Sequence, residues 1–257
     1  MGWLHRQQHR RNGGFAFGHL AECVDRWWST ARAGIHGGRH FAAALGADPG
    51  KHSCYTSEYD MQSIPVTSNV RRLALLPGSF HPITKAHLEL ARAALPFVDQ
   101  LWFVLPRCFP HKSYDRVSMR ERFELIEAAM DDSRMGAVIS EGGLFIEMVR
   151  ECRRRFPMLG EIFVVCGRDA AERIVDWNYD GVEPIEEQLE EYELLVAARQ
   201  GEYIPPAHLA HRIHPVSLAK SYDVISSTVL REELRTGGNW QEYTPGAIHA
   251  RVLELYG

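Results

Sequence analysis

The sequence predicts an α/β fold built on a parallel sheet, and three observations lead there. From Arg71 onward, short apolar runs alternate with amphipathic helical segments, the pattern of repeated βαβ units. The first run, Leu73-Ala74-Leu75-Leu76, is apolar at every position rather than at alternate ones, as in a strand covered on both faces. It leads through a glycine turn at Gly78 into a helix, which places a ligand site at the carboxyl edge of the sheet. The 257 residues suit one such domain carrying an appendage.

Composition narrows the setting. A formal net charge of -4 and the lack of long basic runs argue against nucleic acid as the main partner. Cys23, Cys54, Cys108, Cys152 and Cys166 are odd in number and scattered, which favours a reducing compartment without a disulfide framework. No stretch approaches the roughly 18 to 20 apolar residues that span a bilayer, and the N-terminus lacks an apolar signal-type core. The expectation is a soluble cytoplasmic protein with no membrane partner.

Residues 1–70 read as an N-terminal extension, helical or partly disordered. Its first fourteen residues are basic and polar, and residues 21–32 form an amphipathic pattern that exposes Arg26 and Arg32. His36, His40, His52 and Cys54 lack the paired close spacing of a structural zinc site, so no metal is assigned there. The plain reading is a segment that packs on the following domain or mediates homo-oligomer contacts. Turn signals at Asp48-Pro49-Gly50 and Ser63-Ile64-Pro65 put the boundary near Val70, leaving 71–257 as the second unit.

The strand at residues 73–76 is followed by Pro77-Gly78-Ser79-Phe80-His81-Pro82-Ile83-Thr84. Gly78 lets the backbone approach a ligand closely, Pro82 stops any early helix, and Thr84 is a good N-cap. Leu88, Ala91 and Leu95 then mark the buried face of a helix. His87 falls on its first turn, where free N–H groups and the helix dipole favour an anion. Residues 101–105 form the next strand, ended by Pro106, and the segment after it carries His111 and Lys112 to the same sheet edge. Lys112 is a candidate contact for a substrate phosphate.

A helix is expected over 115–131, with Val117, Met119, Phe123, Leu125, Ile126 and Met130 on its apolar side and Arg116, Arg120 and Arg122 on its polar sides. Residues 137–139 make a short strand and 144–156 a helix, whose Arg153-Arg154-Arg155 run reads as a solvated face. The clearest strand is 161–166. Gly167 and Asp169 follow at its carboxyl end, with Asp169 placed to cap a helix over 170–176 and Trp177 beyond it able to stack a flat ring. The acidic run 183–193 reads as a solvated helix face, 194–198 as a strand and 210–216 as a further one. Ser226, Ser227 and Thr228 then open a helix with Arg231 one turn on, a set of donors suited to a polyphosphate. A helix over 245–256 closes the chain.

The stretch 78–87, GSFHPITKAH, resembles the signature of the (T/H)xGH nucleotidyltransferases, and most closely the nicotinate and nicotinamide mononucleotide adenylyltransferases. Thr84 and His87 match its polar positions. The resemblance runs for about 185 residues, through Pro110-His111-Lys112 with a downstream Arg120, Gly167-Arg168-Asp169 followed by Trp177, and Ile225 to Arg231, similar to the family's ISSTxxR. Ala86 and His81 depart from it, at positions where Gly and where Asp, Asn or Ser are usual.

The resemblance implies a Rossmann-like doubly wound parallel sheet and transfer of the adenylyl group of ATP to a pyridine mononucleotide, with Mg²⁺ carried on the ATP. It implies His87 and Thr84 at the α-phosphate and Gly78, Ser79 and Phe80 at bound phosphate. Ser226, Ser227, Thr228 and Arg231 would serve the β- and γ-phosphates, and Gly167 and Asp169 the ATP ribose and adenine. His81, Lys112 and Trp177 would face the mononucleotide. Two alternatives stay open: a (T/H)xGH enzyme with another acceptor, such as a cytidylyltransferase or a pantetheine-phosphate adenylyltransferase, and a non-catalytic nucleotide-binding regulator.

Overall fold

The computed structural model describes residues 62–65, 70–107, 117–176, 183–197, 203–219 and 225–257. The strands are β1 (Gln62–Ser63), β2 (Arg72–Pro77), β3 (Gln100–Pro106), β4 (Met135–Ser140), β5 (Glu161–Gly167), β6 (Glu193–Ala197) and β7 (Ile213–Val216). They form one sheet in the order β1-β4-β3-β2-β5-β6-β7. The order reverses between β2 and β5. From β2 the chain winds outward through β3 and β4, and from β5 it winds the other way through β6 and β7, all in parallel pairings. Among the described strands only β1 runs antiparallel, against β4. Because β1 lies upstream of Val70, the expected boundary at that residue cuts off the sheet's own edge strand.

The consecutive apolar residues of the strands divide between two faces, as a sheet covered on both sides requires. Ala74, Leu76, Phe103, Leu105 and Val165 join one core with Leu88 and Ala91 of α1 (Lys85–Ala94), Phe123 and Ile126 of α2 (Met119–Ala129), Leu230 of α6 (Ser227–Thr236) and Val252 of α7 (His249–Tyr256). Leu73, Leu75, Trp102, Val164 and Cys166 join the other with Val149 and Cys152 of α3 (Phe145–Arg155) and Ala171 of α4 (Arg168–Val175). The sheet is therefore doubly wound, as expected.

Several surface readings change. Arg153 donates to the carbonyls of Gly160 and Glu191, and Arg155 to the carbonyl of Ile139, so two of the three arginines brace the fold instead of forming a solvated face. In the acidic run only α5 (Ile185–Gln188) is helical. Glu191 and, to a smaller extent, Glu183 grip Arg150 and raise its pKa, while Glu193 holds Arg212 and His214. Charges spaced for a solvated helix here serve tertiary contacts between neighbouring elements. The closing helix starts later than expected, at His249 after a 3₁₀ turn over Gly246–Ile248. And α4 begins at Arg168 with Gly167 as its N-cap, so Asp169 sits inside the first turn rather than capping it.

Candidate active site

The reversal between β2 and β5 is where ligands settle in a doubly wound sheet, beyond the strands' carboxyl ends. The segment 78–84 leaves β2 on one side of this crevice and Gly167 ends β5 on the other. Gly167 has φ -80, a conformation open to any residue, and a Cβ added there meets nothing within 4 Å. Neither backbone nor packing among the described residues calls for glycine, and the open space is what a ligand lying against the chain would use.

His87 is held from behind. At the N3 position of α1, its Nδ1 accepts the Thr84 N–H at 3.0 Å, and the Thr84 hydroxyl lies 2.9 Å from the same nitrogen. Since a backbone N–H can only donate, Nδ1 carries the lone pair and the proton of the neutral ring resides on Nε2. The histidine thus takes the part that Glu or Gln plays in a capping box. Its ring also packs edge-on against Phe80, with centroids 5.1 Å apart. Thr84 is fully buried, so it supports His87 rather than lining open space.

The loop residues occupy places different from those the sequence suggested. The Gly78 N–H is spent on the Val104 carbonyl at 3.1 Å, a sheet bond that withdraws it from phosphate binding. Glycine is needed there for packing, since a Cβ would stand 2.7 Å from the Phe80 ring. Phe80, at φ 42 and 1% exposed, turns its ring into the core against His87 and Phe103 rather than toward a ligand.

Four of the loop's carbonyls are held by side chains from other parts of the chain. Arg122 Nη1 donates to Ser79 O at 3.0 Å, and Arg231 Nη1 to His81 O. Ser227 Oγ donates to Pro82 O at 2.8 Å, and Thr244 Oγ1 to Ile83 O at 3.2 Å. The two sequence clusters, about 145 residues apart, therefore form one site. In α6, Ser226 is the N-cap, its hydroxyl accepting from Val229 N at 3.1 Å, while Thr228 is exposed and lies 3.4 Å from Arg231 Nη2. His81 stands between Arg231 and Tyr256, its Nδ1 3.3 Å from the guanidinium and its ring edge-on to the tyrosine.

Arg122 is the residue that sequence reasoning misjudged. Placed on a polar side of its helix, it is 4% exposed. Ser118 and Glu121 form a capping box that starts α2 at Met119, and the signal for Arg122 was its helical spacing, one turn before the core residue Ile126. The bonds from Ser118 hold the Glu121 carboxyl below its usual pKa. Asp169 is exposed on the first turn of α4. Lys112 and Trp177 lie outside the described residues.

Two cavities adjoin this region. One of about 290 Å³ borders Arg168, Glu172 and Tyr203 beside Gly167; the other, of about 840 Å³, runs between α1 and the segment after β7 and includes none of His87, Gly167, Ser227 or Arg231. The site is therefore defined by its donors. Among the described residues no three His, Cys, Asp or Glu side chains group as a metal site, and no helix is long and apolar enough to cross a membrane.

Comparison with known proteins places the chain. A cytidylyltransferase-like family model matches residues 75–233. A probable nicotinate-nucleotide adenylyltransferase of Shouchella clausii is 28% identical over 200 residues, covering 73% of this chain and 98% of its own. A phosphopantetheine adenylyltransferase of Syntrophus aciditrophicus is 25% identical over 189 residues, covering 73% and 96%. Among solved structures, the nicotinic acid mononucleotide adenylyltransferase of Plasmodium falciparum complexed with NaAD shares the fold, with TM-score 0.56 and 18% identity over 73% of this chain and 98% of its own.

Proposed function

Because this chain belongs to the cytidylyltransferase-like family and is a nucleotidyltransferase, we propose that it transfers the adenylyl group of ATP to nicotinate or nicotinamide mononucleotide, forming NaAD or NAD and pyrophosphate. The observation that carries this reading is the joining of the two clusters, by Ser227 to Pro82 O and Arg231 to His81 O, around a histidine whose Nδ1 is already occupied. The relative from Shouchella clausii supports the choice of acceptor.

In this reaction an oxygen of the acceptor's 5′-phosphate attacks the α-phosphorus of ATP. The bond from that phosphorus to the bridging oxygen breaks, and pyrophosphate leaves with the electron pair. No protein nucleophile is required, so catalysis consists of placement and charge neutralisation. His87 donates from Nε2 to an α-phosphate oxygen as charge gathers there, and Thr84 keeps the ring in that tautomer. Arg231, Thr228 and the N–H groups at the start of α6, with Ser226 and Ser227, receive the β- and γ-phosphates. Mg²⁺ enters with ATP as part of the substrate. Gly167 and Asp169 border the nucleoside, while Lys112, Trp177 and His81 serve the acceptor.

A second reading, transfer to pantetheine phosphate, is favoured by the relative from Syntrophus aciditrophicus. The deciding experiment is a chromatographic assay with ATP, Mg²⁺ and, in separate reactions, each mononucleotide and 4′-phosphopantetheine, following dinucleotide or dephospho-CoA together with pyrophosphate. Dinucleotide formation with a kcat/KM well above that for pantetheine phosphate supports the proposal. The reverse ranking refutes it. The adenylyltransferase names of the relatives stand against a purely regulatory role.

A further inference from the structure

We propose that Arg122 is a positioning residue for nucleotidyl transfer: it holds the Ser79 carbonyl from within α2 and so turns the Ser79–Phe80 amide toward bound phosphate. The inference rests on the reading of residues 78–87 as the phosphate loop, but not on which acceptor is used.

The argument begins with an oddity of burial. Arg122 is 4% exposed, and its neighbours on α2, Phe123 and Ile126, are ordinary core residues. Burying a guanidinium is expensive, and an apolar side chain of similar size would fill such a place at lower cost. A charge kept there calls for a specific task, and one bond it makes reaches the loop, through Nη1 to Ser79 O at 3.0 Å.

A planar trans peptide points its N–H opposite to its carbonyl. With Ser79 O turned to α2, the Phe80 N–H is turned away from α2. The strand order gives that direction a meaning. The helix α2 is the crossover between β3 and β4, on one side of β2, whereas Gly167 and the open space above it lie at the end of β5 on the other. The freed N–H therefore faces the crevice side. Phe80 has φ 42, a left-handed conformation that costs a non-glycine residue energy and persists only when its surroundings enforce it. The Arg122 bond on one side and the buried Phe80 ring on the other do so.

The neighbouring carbonyls follow the same plan. Those of His81, Pro82 and Ile83 are turned onto Arg231, Ser227 and Thr244, so the negative ends of four peptide dipoles are drawn off the surface that meets an anion. Of these four tethers Arg122 alone comes from the β3–β4 crossover.

The test compares Arg122→Met, which keeps length and removes the donors, with Arg122→Lys, which keeps charge and one donor site, both in the full-length protein. Pyrophosphate release from Mg-ATP is followed with whichever acceptor the unmodified protein uses, and thermal melting is recorded alongside. For Arg122→Met, kcat should fall on the order of 10- to 100-fold while KM for ATP moves less than about 3-fold, because the loop is misplaced in the transition state rather than emptied of ligand. Arg122→Lys should recover at least part of that loss. A kcat for Arg122→Met within about 2-fold of the unmodified protein overturns the proposal, as does an equal loss in both variants that tracks a common fall in melting temperature. If pantetheine phosphate proves to be the acceptor, the mononucleotide reading fails and the Arg122 comparison is made on that substrate, so the two failures are distinct.

Discussion

Gly167→Ala separates a glycine that faces a ligand from one that serves the fold. On the side of stability two small effects oppose each other. An N-cap accepts glycine more readily than alanine, which costs about 0.5 to 1 kcal/mol, and the stiffer unfolded chain returns about 0.4 to 1 kcal/mol. With φ at -80 and no atom of the described residues within 4 Å of the new methyl, these two effects are the ones that count. The net change should be within about 0.5 kcal/mol, a shift of ~1–2 °C in Tm for a domain of this size. On the side of binding, a methyl group placed into a filled contact costs about 1 to 3 kcal/mol, equivalent to roughly 5- to 150-fold in affinity. The assay pairs differential scanning fluorimetry with calorimetric titration of a non-hydrolysable ATP analogue. Unchanged Tm with weakened nucleotide binding is the expected result. Unchanged binding would remove the nucleotide from this edge of the crevice, and a Tm loss beyond ~4 °C would show that the glycine is structural after all.

Three further outcomes are expected. His87→Ala should lower kcat by about 10²- to 10³-fold with little change in KM for ATP, and His87→Gln should regain part of it; near-normal turnover in the alanine variant would sink the role of Nε2. Gly78→Ala drives a Cβ to 2.7 Å from the buried Phe80 ring, so urea unfolding should show a loss of about 1 to 3 kcal/mol, and kcat should fall as the ring presses on His87; wild-type stability would contradict the packing. Burial pushes the thiols of Cys152 and Cys166 up to about 12. Their folded pKa values lie above the unfolded ones, so the stabilisation is complete below about pH 8.5 and is lost as pH rises toward the folded values, by at most about 1.4 kcal/mol per pH unit for each thiol. Native protein at pH 8 should therefore resist labelling by iodoacetamide at both positions, and rapid labelling would refute their burial.

The sheet was legible because its strands are apolar at consecutive positions, a signal that needs no tertiary information. Thr84 and His87 were legible for a similar reason, as a cap and a first-turn residue of one helix. What sequence could not supply was the direction of individual groups. The stretch 78–80 reads as a place where backbone meets phosphate, yet the Gly78 N–H belongs to β3 and the Phe80 ring to the core. Both facts depend on which strand lies beside β2 and on a left-handed φ at Phe80. The burial of Arg122 escaped because arginine is polar by type and so is assigned outward, whereas helical spacing puts it on the same face as Ile126 and Ala129, both buried. The two clusters could be suspected of a common purpose, but only the fold brings Ser227 to Pro82 and Arg231 to His81.

The same arrangement explains how relatives named for two different acceptors can match this chain along one stretch. The groups assigned to the α-phosphate and the leaving pyrophosphate come from residues 78–87 and 226–231, and these are tied to one another and to α2 and Thr244 by side-chain bonds to backbone carbonyls. Such bonds specify geometry without regard to what approaches from the other side of the phosphorus. The resemblance assigns the acceptor to His81, Lys112 and Trp177, of which Lys112 and Trp177 follow β3 and α4 in the chain. The His81 carbonyl is committed to Arg231, and the His81 ring nitrogen Nδ1 lies 3.3 Å from the same guanidinium. Replacing His81 by Asn, which brings no charge beside Arg231, should shift the kcat/KM preference between acceptors more than it shifts the binding of ATP, and a larger shift in ATP binding would show that the ring acts through Arg231.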